Sequence, residues 1–243
     1  MNFEDFESSA FSPERSYPEI SGFDEHSELS DNDVEAVIQL LPSSHIEHCP
    51  SISCLPESPL WKDYPDASGL YNTATSEIFL SGAEGVSEAG TTELEILLHE
   101  IGHNAYDSIL GENPQLIADW AELYDASMIK FAQTGFGFVS NYSHTDMFED
   151  FAESYAEYVA NPQLMQFLCP DKYNFMQENV FNGREYDSVQ APDGSYILSF
   201  KDVTDVINNA DSNAYAEGLD GVHSWENFGS IADSFRCFTI IAG

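Results

Sequence analysis

The chain has 243 residues, 42% hydrophobic and 13% aromatic, enough to bury a sizeable core in one substantial domain with extensions and too apolar for a disordered polymer. Only 7 Lys plus Arg stand against 43 Asp plus Glu, a formal charge of -36, which argues against nucleic acid and anionic membrane surfaces as partners because both need basic patches. A basic peptide would be attracted, although solubility, or adaptation to salt or calcium, accounts for the charge more simply than steering of a substrate.

No stretch has the length and apolarity of a transmembrane helix, and Met1-Asn2-Phe3-Glu4-Asp5 lacks the basic start and apolar run of a signal peptide. The expectation is a cytosolic protein, one exported by another route, or one numbered after processing. Cys49, Cys54, Cys169 and Cys237 are too few for a disulfide scaffold and leave the compartment open.

Residues 1–31 hold nine acids and one base, Arg15, among Ser, Pro and scattered aromatics, and read as an extended acidic arm: a propeptide, a delivery segment or a strap. Ser30 then caps a helix whose apolar positions are Val34, Val37, Ile38 and Leu41, stopped by Pro42. His45, His48, Cys49 and Cys54 follow as four soft ligands in ten positions. Their spacing matches no usual finger or ribbon, so a plain loop, with or without a Cys49–Cys54 disulfide, is expected over a second, structural zinc site. Residues 69–80 read as strand, turn and strand, with Glu77-Ile78-Phe79-Leu80 alternating polar and apolar. An exposed strand edge just ahead of the next helix can pair with an extended peptide, or the hairpin serves only the core.

Thr92 and Glu95 form a T-x-x-E capping box that opens a helix. Leu94, Leu97, Leu98, Ile101 and Ala105 make its apolar stripe, and roughly opposite lie His99 and His103 of an H-E-x-x-H motif. Residues four apart on a helix share a face, so both histidines can offer a ring nitrogen to one metal ion while Glu100 sits beside the open position. Zinc held by two imidazoles and a third protein ligand acidifies a water, and Glu100 is the candidate base.

Gly111 and Asn113-Pro114 separate this helix from a second, striped by Leu116, Ile117, Trp120, Leu123, Tyr124, Met128 and Phe131 as far as Gly135. A glycine and aromatic segment at 135–143 leads to a further helix from about Thr145, with Phe148, Phe151, Ala152, Tyr155 and Val159 as its buried stripe. On a helical wheel Glu149 lies closest to that stripe, Glu153 is further round, and Asp146, Asp150 and Glu157 point away. Glu149 is therefore the acid best placed to be half buried against a facing helix. Short helices open at Pro162 and Pro170, and strands are expected at 195–200 and 236–241.

The extended metzincin pattern would need Gly at 106 and His at 109, where the chain has Tyr106 and Ile109, so that class is excluded. Leu98-His99-Glu100-Ile101-Gly102-His103, then Ser140-Asn141-Tyr142, then Glu149-Asp150-Phe151-Ala152-Glu153-Ser154-Tyr155, resembles the catalytic domain of anthrax lethal factor and the related clostridial Pro-Pro endopeptidases. The resemblance spans roughly residues 69–180 and departs where Asp150 stands in place of an aromatic. It implies a zinc metallopeptidase of the gluzincin type, with one zinc per chain held by His99, His103 and Glu149. Tyr142 would stabilise the oxyanion, and Glu153 would partner a zinc histidine. A secreted or delivered effector would fit that group.

The resulting expectation is an α+β, zincin-like fold, mostly helical, with a small sheet whose edge strand precedes the H-E-x-x-H helix. An acidic extension at 1–31 would precede a metallopeptidase domain at 32–180 and a C-terminal extension at 181–243 of no visible role. The expected function is a zinc endopeptidase acting on a protein or peptide. The alternatives are a non-catalytic binding or effector protein on the same fold and a cytosolic, repressor-cleaving regulatory peptidase. The last would normally carry a basic DNA-recognition helix, and none is seen.

Overall fold

Short alternating segments build a small mixed sheet beneath the motif helix. The structure, a computed structural model, describes residues 17–82, 92–190, 196–200 and 238–240. Strands β1 (Glu19–Ser21), β2 (Ser51–Cys54), β3 (Gly69–Asn72) and β4 (Glu77–Leu80) lie in the order β1-β2-β4-β3. The first two and β4 are parallel, and β3 runs antiparallel to β4 with Gly69 opposite Leu80 and Tyr71 opposite Ile78. The strand directly ahead of the motif helix is thus interior, because Ile78 and Leu80 are buried there, and the sheet edge falls to its hairpin partner β3.

Residues 17–31 do not form an extended arm. Phe23, in the short helix α1 (Phe23–His26), and Leu29 are buried anchors, while the surrounding acids accept local backbone bonds: Phe23 N–H donates to Asp31 Oδ1 at 3.0 Å and Asp31 N–H to Asp24 Oδ1 at 3.0 Å. Residues 1–16 lie outside the described residues. Helix α2 (Asp31–Leu40) starts at the expected Ser30 cap, made reciprocal by Asp33, and buries Val34, Val37 and Ile38.

The stretch read as a loop contains a 3-10 turn at Ser43–His45 and the interior strand β2. Cys49 and Cys54 are free, buried thiols, and no metal-ligating cluster forms there among the described residues. His45 is a core histidine. Its Nε2–H donates to Val180 O at 2.9 Å, so Nδ1 accepts from the Tyr155 hydroxyl at 2.7 Å.

Burial holds the His45 pKa down at about 4, against an ordinary 6.5. The folded pKa lies below the unfolded one, so this group's contribution is complete above about pH 6.5 and is lost as pH falls through 4. The gap is worth about 3 kcal/mol. Urea titrations between pH 7 and 4 should show a shallower decline for His45→Gln, which keeps a donor and an acceptor but cannot titrate. Identical pH slopes for the two proteins would refute this account.

Helix α3 (Glu93–Ala105) carries the motif. Its expected stripe, Leu94, Leu97, Leu98, Ile101 and Ala105, is buried, and the Thr92–Glu95 capping box is formed. A π-helical turn at Tyr106–Leu110 ends it. Helix α4 (Pro114–Thr134) buries only Trp120 fully and ends at Gly135, whose φ of 75° suits glycine. Helix α5 (Met147–Ala160) packs along α3. The contact is close at Gly102, where a Cβ would stand 3.0 Å from Ala152 Cα and 3.1 Å from Tyr155 Cβ.

Helices α6 (Pro162–Leu168) and α7 (Pro170–Phe175) follow, the latter continued by a π-helical turn at Met176–Val180. An antiparallel sheet of β5 (Tyr186–Gln190), β6 (Tyr196–Phe200) and β7 (Phe238–Ile240) completes the described chain. Both β6 and β7 fall within expected strands, whereas β5 was hidden by its polar composition. Packing does not break at 181, since Phe181 and Tyr186 belong to the core and β5 lies against α5. No helix among the described residues is long and apolar enough to cross a membrane.

Candidate metal centre

The facing pair of α3 and α5 brings His99, His103 and Glu149 together. His99 Nε2 lies 3.1 Å from His103 Nε2, and Glu149 Oε2 lies 3.1 Å from the first and 3.4 Å from the second. Zinc bonds of about 2.0–2.2 Å in tetrahedral geometry separate ligand atoms by about 3.3–3.5 Å, close to this spacing. Each of the three residues is partly buried.

The hydrogen-bonding pattern supports a cation here. Glu153 Oε1 accepts from His99 Nδ1 at 2.7 Å, which turns His99 Nε2 towards Glu149. Glu149 Oε2 is buried and faces the Nε2 atoms of both histidines. Burial pulls the His99 pKa down, but hydrogen bonds to Glu149 and Glu153 outweigh it and raise the value to about 10. Burial likewise opposes ionisation of Glu149, and the His103 and His99 contacts overcome it and hold that carboxyl far below its usual range. The three residues form a candidate cation site.

Glu100 is buried beside these ligands, and burial raises its pKa above the ordinary carboxylate value despite the neighbouring histidines. Tyr142 stands in a 3-10 turn at Tyr142–His144, 45% exposed, with its ring 5.9 Å from that of His99. Burial and the nearby Glu149 carboxylate push its phenol up to about 12, so it remains a donor at neutral pH. All six residues singled out from sequence therefore lie at one place between α3, α5 and the turn before α5.

Two parts of the wheel reading of α5 need correction. Phe148 is 50% exposed, resting on Tyr106 at 4.9 Å between ring centroids. Asp150, expected to face solvent, is 0% exposed and pairs at 2.6 Å with Lys172 of α7, itself 2% exposed. The wheel assumed one apolar face, whereas α5 is packed by α3 on one side and by α7 on another. Lys172 also points at Gly137 O, 3.5 Å away, and lies over the Phe138 ring at 4.2 Å.

Sequence reasoning also missed Tyr71 and Asp107. The Tyr71 ring stacks against His103, with centroids 6.2 Å apart at 16°, and its hydroxyl donates to Asp107 Oδ2 at 3.0 Å. Position 71 alternates in phase with Gly69, a signal that the strand face was turned to the motif helix. No family model matches the chain, and no curated protein matches it.

Proposed function

We propose that the chain is a zinc-dependent endopeptidase on a zincin-like fold, with His99, His103 and Glu149 as ligands. The observation that carries this reading is the convergence of three ligand atoms at tetrahedral spacing with the carboxylate of Glu100 alongside. Zinc bound there would polarise a scissile carbonyl and acidify a water.

Glu100 takes the proton from the attacking water as the new C–O bond forms. It returns that proton to the amide nitrogen as the C–N bond breaks. Tyr142, a phenol still protonated at neutral pH, donates to the oxygen that gathers negative charge. Glu153, accepting from His99 Nδ1, would hold His99 with Nε2 free to ligate a bound zinc. The β3 edge, lying against α3, is the strand on which an extended peptide would add.

Plasma emission analysis is expected to find about one zinc per chain in the purified or reconstituted protein, most of it lost in His103→Ala. Glu153→Gln should weaken retention by about 10- to 100-fold. A random peptide library containing proline should be cleaved by the zinc-loaded protein. Absence of zinc, or a preference for iron, which the same two-histidine, one-carboxylate set can hold, would overturn the assignment. A zinc protein that cleaves nothing would be a binding protein on this scaffold.

A further inference from the structure

Gly69 lies where β3 meets the motif helix, and neither a turn nor a backbone constraint explains a glycine there. Its φ is outside the left-handed region, and glycine weakens a strand interior. A Cβ at this position would stand 2.5 Å from Glu100 Oε1, 2.8 Å from Cγ and 2.9 Å from Cδ. The three nearest atoms all belong to one side chain. Two residues on, the same strand face presents Tyr71 to His103. Strand positions 69 and 71 thus match helix positions 100 and 103, so β3 is registered on the residues that hold and use the metal. The Glu100 carboxylate, buried among the charges of His99, His103, Glu149 and Glu153, is bounded on this side by β3.

We infer that Gly69 is a positioning residue whose missing side chain makes the slot in which the Glu100 carboxylate sits, with the β3 backbone as its wall. The inference rests on the reading of Glu100 as the base. Gly69→Ala should fold, because alanine fits the backbone and the obstructing atoms are the flexible end of Glu100. The overlap is then relieved by moving the carboxylate.

The test combines a crystal structure of zinc-loaded Gly69→Ala with steady-state kinetics on a library peptide cleaved by the wild type. The structure should show Glu100 displaced, with one zinc retained and β3 unmoved. Because a misplacement of about 1 Å can cost about 10²-fold, kcat should fall by about that factor while KM stays unchanged. In a Glu100→Asp background, where the shorter side chain withdraws from the slot, Gly69→Ala should cost less than about threefold, the coupling expected of groups in contact. An undisplaced carboxylate beside a shifted β3, or a wild-type kcat, overturns the inference. If the wild type cleaves no peptide, the crystal structure alone decides, so failure of the slot is distinguishable from failure of the peptidase reading.

Discussion

Glu100→Gln is expected to leave a folded, zinc-loaded protein that hydrolyses no peptide bond. The substitution is nearly isosteric, and Glu100 is not among the three converging ligands. What it removes is a buried carboxylate whose pKa burial has raised, the condition in which a base can both accept a proton and return it. Tyr142→Phe removes only a hydroxyl and should lower turnover by about 10²- to 10³-fold, with zinc content unchanged. Activity on a peptide library, zinc analysis and thermal melting of the three proteins check this. Equal cleavage by wild type and Glu100→Gln would assign the activity to a contaminant or to another mechanism.

The second large effect separates two adjacent acids. Glu149→Ala should lose zinc and keep its fold, since the buried Glu149 Oε2 faces the two histidines of the proposed ligand set. Asp150→Ala should instead destabilise the fold by about 3–5 kcal/mol, because it leaves Lys172 as a buried charge without its partner. Replacing both members, as Asp150→Asn with Lys172→Met, should recover much of the loss. Urea titration and zinc analysis of the wild type and these three variants distinguish the two roles. A stable Asp150→Ala protein with no zinc would mean that the faces of α5 are reversed.

The motif helix was legible because three local signals agree on it: the Thr92 cap, the stripe from Leu94 to Ala105 and the spacing of His99 and His103. Glu149 was legible as an acid close to the apolar sector of its helix. Asp150 was not, since its burial depends on Lys172, more than twenty residues further on, and a wheel drawn from one helix contains no information about what packs on its other side. The composition held one unused cue. In a chain with only 7 basic residues, a lysine beside aromatics on a short helix is a candidate for a buried partner of an acid. The edge position of β3 escaped for a similar reason. Sheet order depends on β2, whose Ser51–Cys54 segment is short and flanked by prolines, cysteines and serines that read as loop. Integration of residues 17–31 rests on the pairing of β1 with β2 and on buried Phe23 and Leu29, too few apolar positions to register as a period amid the acids.

The near-contact at Gly102 has a consequence for assembly. Helices α3 and α5 touch through Ala152 and Tyr155 beside Gly102, so packing holds together the two helix faces that carry His99, His103 and Glu149. This is the opposite of a zinc finger, whose chain is unfolded until metal arrives. On the proposed function, chelation should silence the protein reversibly while leaving its skeleton intact.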